Sequence, residues 1–187
     1  LKLKPEEQII FQVHLRSILL ESETYCKLEE YIQHGQTTRL LHCIAVARLS
    51  YWAQCRLKIE CDSRNLIRGA LLHDFFLYDV KSERPEKHMR SHPSLALHNA
   101  NSHFSLTDEE QDIIANHMWP LTISFPEYKS TFMVSLADKA CAVFEFLHLQ
   151  HRQSLIDAGL EAPSLHLVTR AAIRTRRILA LAALMRP

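Results

Sequence analysis

The stretch LLHDFFLYD, residues 71–79, sets His73 and Asp74 side by side at the end of an apolar run. An aspartate among Leu, Ile and Phe is costly to bury unless it is paired or coordinates a metal. Asp138 raises the same question inside VSLADKACAVF, at helical spacing from Val134, Cys141 and Ala142. His42 shares a stripe with Val46, Leu49 and Ala53, and His117 follows Ile113 by one helical turn in DIIANHM. One buried histidine, or one His-Asp pair, is by itself an ordinary hydrogen-bonded core group. Inward imidazoles and carboxylates on four different helices are what a metal site in a helical bundle requires. These donors together suit Zn, Mn or Fe, and a carboxylate can bridge two ions.

The elements that must position these groups are all helical. Residues 5–32 read as two helical pieces broken near ESETY, and residues 36–56 as an uninterrupted helix after Gly35. A third helix starts at Asp62 or Ser63, either of which can cap free N–H groups, and runs to about Leu77. It puts His73 on a stripe with Leu66 and Ala70, and Asp74 on the next with Ile67 and Leu71. YDVKSERPEKHMRS is polar and charged, with a proline, and reads as a loop. A helix then follows with Ser91 as its cap and Pro93 in its first turn. Thr107 and Glu110 have capping-box spacing for a helix reaching about Met118, ended by Pro120. Residues 130–149 and 164–184 complete the set.

Composition sets the class. With 47% hydrophobic residues in 187, the chain can build one sizeable core, and 3 glycines and 7 prolines leave few breaks, so a compact all-α bundle forming a single domain over 1–187 is expected. The net charge of +1 gives no global pull toward nucleic acid or membrane. Arg170, Arg174, Arg176 and Arg177 wrap around the last helix without an aromatic platform, which argues against nucleic acid as the main ligand. No apolar run reaches the roughly 18 residues of a membrane span, and the N-terminus has no secretory pattern. Five cysteines, odd in number and without a CxxC pair, fit buried reduced thiols in a cytoplasmic protein. Oligomeric state leaves no trace.

In order along the chain, HGQTTRLLHCIAVARLS, GALLHDFFLYD, SHPSLALHNA, IIANHM and SLADK resemble the HD superfamily of metal-dependent phosphohydrolases over residues 33–143. The founding pattern, a histidine, a His-Asp pair and a distal aspartate, falls here on His42, His73, Asp74 and Asp138. The resemblance implies an all-helical HD-type core, metal dependence and phosphate-ester chemistry. Members that hold two ions add two histidines between the pair and the last aspartate. His92 resembles the first and His117 the second, with His88 and His98 competing with His92. On this reading Asp74 bridges, His42, His73 and Asp138 hold one ion, and His92 and His117 hold the other. The ions would be divalent, Fe, Mn, Zn, Ni or Mg, and an ion pair of this kind suits phosphoryl transfer.

Around that centre, His34 and Arg39 sit near the start of the His42 helix. Arg39, three residues before His42, is placed to clamp a phosphate through paired N–H donors. Lys81, Arg84 and His88 make the charged loop a candidate phosphate-gathering segment, although a solvated loop would look alike. Lys139 is a candidate partner for Asp138. The expected substrate is a small-molecule phosphate ester, with a nucleotide implied by the resemblance. The alternatives are a di-iron oxygenase on the same scaffold and a non-catalytic regulatory domain that keeps the metal.

Overall fold

The computed structural model describes residues 2–35, 37–80 and 88–147, with the side chains of 88 and 89 outside the description. The helix expected at 164–184, its arginines, Lys81 and Arg84 lie outside these residues. Among the described residues the protein is an all-α bundle with one two-stranded hairpin. Its elements are α1 (Pro5–Glu21), α2 (Glu23–Cys26), a 3-10 turn (Lys27–Glu30), β1 (Ile32–His34), β2 (Thr37–Thr38), α3 (Arg39–Leu57), α4 (Ser63–Leu72), α5 (His88–His103), α6 (Asp108–Asn116) and α7 (Lys129–Phe146). None of these helices is long and apolar enough to cross a membrane.

The hairpin replaces the first turn of the helix expected from residue 36. Gly35 takes φ 58°, a left-handed conformation that a glycine adopts without steric cost, and Ile32 pairs with Thr38, His34 with Thr37. Thr38 then caps α3 by accepting the Leu41 N–H. The inward face of α3 buries His42, Cys43, Val46 and Tyr51. It packs on α4 and α7, so the long helix forms the spine of the bundle.

α4 ends at Leu72, five residues before the expected Leu77, and the chain turns at His73 and Asp74. Tertiary partners make this early end possible by satisfying carbonyls that a continuing helix would have used. The His73 Nδ1–H donates to Ala70 O at 2.8 Å and Tyr25 Oη to Leu71 O at 2.5 Å. Beyond the turn, Asn99 Nδ2 donates to Phe75 O and Arg39 Nη1 to Phe76 O, both at 2.8 Å. α5 differs in the other direction: it starts at His88 rather than after Ser91, so Pro93 lies inside the helix and His88 is not a loop residue. The Thr107–Glu110 capping box forms as expected. The start of α7 is tied to α6, because Asp112 Oδ2 accepts the Glu127 and Tyr128 N–H groups and the Thr131 hydroxyl.

α4 approaches α6 closely at Gly69. A Cβ there would meet Ile113 Cδ1 at 2.7 Å and Cβ at 2.9 Å. Gly69→Ala is therefore expected to destabilise the fold by about 1–3 kcal/mol through overpacking, although alanine is the better helix former by about 1 kcal/mol. Thermal melting checks the loss, and adding Ile113→Val should recover part of it.

Candidate metal centre

Five parts of the bundle deliver the polar groups to one buried place. His42 comes from the second turn of α3, His73 and Asp74 from the turn after α4, and His92 from α5. His117 comes just after α6, and Asp138 from the middle of α7. All six are 9% exposed or less. Asp74 stands between two sets of imidazoles. Its Oδ1 lies 3.4 Å from His92 Nε2 and 3.6 Å from His117 Nε2, while its Oδ2 lies 3.6 Å from His73 Nε2. On the second side, Asp138 Oδ1 is 3.0 Å from His42 Nε2 and 3.7 Å from His73 Nε2.

Hydrogen bonds behind the imidazoles decide which nitrogen faces inward. His73 and His117 use Nδ1–H on the carbonyls of Ala70 and Ile114, at 2.8 and 2.9 Å, so Nε2 of each ring points into the cluster; burial works against charge on His73, but the Asp74 carboxylate beside it outweighs this and holds its pKa well above the usual histidine range. His42 Nδ1 is held by both oxygens of the buried Glu145, at 3.1 and 3.0 Å. Burial and then His73 push His117 down to about 3, so its Nε2 is a lone pair at neutral pH. Burial works against charge at His42 too, but hydrogen bonds that its ring donates to Asp138 and Glu145 outweigh it and lift the ring to about 10. Burial alone would raise Asp74; the surrounding imidazoles, His73 first, reverse this and keep it an anion.

These residues fit a cation on three observations. His73 Nε2 and Asp74 Oδ1 are buried with no hydrogen-bond partner among the described residues, a costly arrangement unless something positive binds them. The His92 and His117 Nε2 atoms face each other at 3.0 Å, close enough to share a proton or to turn together toward one cation. The donor atoms also fall into overlapping groups of metal-holding size, among them His42–His73–Asp74, His73–His117–Asp138 and Asp74–His92–His117.

A cavity of about 310 Å³ opens onto this cluster. His34, half-buried on β1, lines it with Gln33, Lys139 and an apolar wall of Met118, Leu121, Ala142 and Phe146. Arg39 does not line it. Its guanidinium is fully buried, donates to Gln33 Oε1 and Phe76 O, and stacks 3.6 Å from the Phe76 ring centroid. The phosphate clamp expected of Arg39 is corrected on this point: the residue lies near His42 along the helix but turns away from the cavity. His98 is on the same helix as His92 yet belongs to none of the metal-sized groups. His88 falls in the first turn of α5, with its side chain outside the described residues.

Two residues at the site escaped the sequence reading. Glu145 lies seven positions after Asp138, two turns along the same face, and that spacing was a usable signal. Gln33 carried none, because only the hairpin brings it over Asp74, where Nε2 donates to Oδ2 at 2.6 Å. Lys139 does meet Asp138, with Nζ 2.9 Å from Oδ2 and 2.5 Å from His117 O.

The bundle gathers buried imidazoles and two carboxylates beneath a cavity, in groups that could hold a metal ion. A family model described as HD domain matches residues 39–160, close to two thirds of the chain, and the chain belongs to the HD domain family. No curated protein and no solved structure matches it. HD domains are typical of metal-dependent phosphohydrolases.

Proposed function

We propose that the protein is a phosphohydrolase with two divalent ions per chain, acting on a phosphate ester of a small molecule. The observation that carries this reading is Asp74, whose two oxygens face separate imidazole sets, with Oδ1 toward His92 and His117 and Oδ2 toward His73. Divalent ions held there would polarise phosphate oxygens and lower the pKa of the attacking water. His42, His73 and Asp138 would hold one, His92 and His117 the other, with Asp74 shared. Imidazole-rich donors favour Mn, Fe, Zn or Ni over Mg.

The chain's own groups would bind and orient the substrate. His34 lies on the cavity wall with its ring 4.7 Å from that of Phe146, and burial, then His42, lowers its pKa. A neutral imidazole there suits proton transfer at the reacting phosphate. Lys139 keeps a cation at the same wall. The apolar side formed by Met118, Leu121 and Phe146 suits a base or other planar group, which supports a nucleotide as substrate, and about 310 Å³ suits a mononucleotide better than a dinucleoside polyphosphate. The five free thiols, three of them buried, suit a reducing compartment, and we assign the protein to the cytoplasm.

The test is elemental analysis of protein purified without added metal or chelator, followed by a phosphate-release screen over nucleotides. Close to two ions per chain is expected, falling toward one in His92→Ala and in His117→Ala. One ion that survives both substitutions would overturn the two-ion reading. Oxygen consumption by an iron-loaded protein that releases no phosphate would replace hydrolysis with oxidation.

A further inference from the structure

Arg39 is a buried cation whose hydrogen bonds run to neutral partners, Gln33 Oε1 at 2.7 Å and Phe76 O at 2.8 Å. No ion pair within 4.0 Å joins it to a carboxylate among the described residues. A guanidinium out of water requires compensation, and neutral acceptors supply only part of it. Gln33 connects it to an anion. Its Nε2 donates to Asp74 Oδ2 at 2.6 Å, so cation, amide and carboxylate form one line from α3 through β1 to the turn after α4.

The direction of this line is fixed by chemistry. A guanidinium can only donate, so Arg39 must face the amide oxygen of Gln33, and this leaves the amide nitrogen to face Asp74. The amide dipole then has its negative end toward the cation and its positive end toward the anion. With Oδ2 held, Asp74 Oδ1 is the oxygen left without a hydrogen-bond partner, and it is the one directed at His92 and His117.

We propose that Arg39 and Gln33 act in series as positioning residues for Asp74, setting the shared carboxylate before any ion binds. This rests on the metal-centre reading and goes beyond it, because neither residue is a ligand. Arg39 fixes the amide, and Gln33 fixes the carboxylate. Arg39 thus acts on the centre without lining the cavity.

The full chain, stripped of metal, is titrated with Zn(II) against a chromophoric chelator. Gln33→Leu is expected to weaken Zn(II) binding by roughly ten- to hundredfold, the usual effect of losing a partner behind a ligand. The melting temperature of the stripped protein should stay close to wild type. Arg39→Met should show a similar loss, and Arg39→Lys, which keeps a donor for Gln33 Oε1, should recover most of it. The decisive variant combines Gln33→Leu with Arg39→Met. Residues acting in series give a double variant no weaker than the weaker single, whereas independent structural damage gives losses that multiply. Multiplying losses, or Gln33→Leu binding as tightly as wild type, would overturn the relay and leave the metal centre standing. A wild-type chain that takes no Zn(II) would overturn both. If Arg39→Met does not fold, the affinity of Gln33→Leu decides alone.

Discussion

Asp74→Asn is expected to leave at most one ion per chain and to lower phosphate release by about a thousandfold or more, the equivalent of several kcal/mol of lost charge stabilisation. The asparagine keeps the shape of the side chain but removes the negative charge, and its NH2 presents hydrogens where an oxygen faced one of the imidazole sets. Asp74 has an oxygen toward each imidazole set, Oδ1 toward His92 and His117 and Oδ2 toward His73. Its substitution therefore reaches both half-sites, while His92→Ala reaches one. The fold should survive, because asparagine keeps the volume of the side chain and an amide oxygen that can accept the Gln33 Nε2–H. Metal content by elemental analysis and phosphate release by a colorimetric assay check this together. A variant with two ions and full activity would remove Asp74 from the centre.

Glu110→Ala carries the second large effect, and it falls on stability. Glu110 is fully buried and does two things at once. Its Oε2 accepts the Thr107 N–H at 2.9 Å, closing the capping box of α6, and its Oε1 accepts the Arg68 Nε–H at 2.6 Å, linking α6 to α4. Alanine opens the box and removes the closest acceptor of the Arg68 guanidinium, which is only 5% exposed and is left with Ser105 O at 3.4 Å and Glu21 Oε2 at 3.9 Å. Breaking a buried pair from one side costs about 3–5 kcal/mol, so a fall in melting temperature of roughly 10 °C is expected for a chain of this size. Arg68→Met combined with Glu110→Leu should recover much of the loss, since it removes both charges. A melting temperature within 2 °C of wild type, measured by calorimetry as about the shift of a single exposed change, would show that the pair contributes little.

The helices were legible because each carried a local signal that the tertiary structure did not override. Thr107 and Glu110 gave the capping box of α6, Asp62 the start of α4, and the apolar stripes the inward faces of α3 and α7. The boundaries that failed were those set by distant partners. α4 stops at Leu72, where the distant Tyr25 takes the Leu71 carbonyl and the adjacent His73 turns back onto that of Ala70, and the Tyr25 bond has no signature within the helix itself. The hairpin of Ile32–Thr38 was hidden in the same way: its strands are too short for a period-2 pattern to register, and only Gly35 marked the turn.

By itself the sequence determined which side chains are expensive to bury. His42, His73, Asp74, His117 and Asp138 stand on apolar faces, and burial of such groups demands either partners or an ion, a constraint that needs no coordinates. Side-chain chemistry and helical period were sufficient for that, and the spacing from Asp138 held Glu145 as well. Only the tertiary structure decided what each polar group faces. Arg39 shares a helix with His42 and differs from it by three positions, yet one turns to the cluster and the other to Phe76 and Gln33. Helical period fixes the angle between two side chains, but the neighbours that meet each one come from β1, the turn after α4, and α7. Their placement is a property of packing across 40 to 100 residues of chain, as the separations of 41 for Gln33–Asp74 and 103 for His42–Glu145 show.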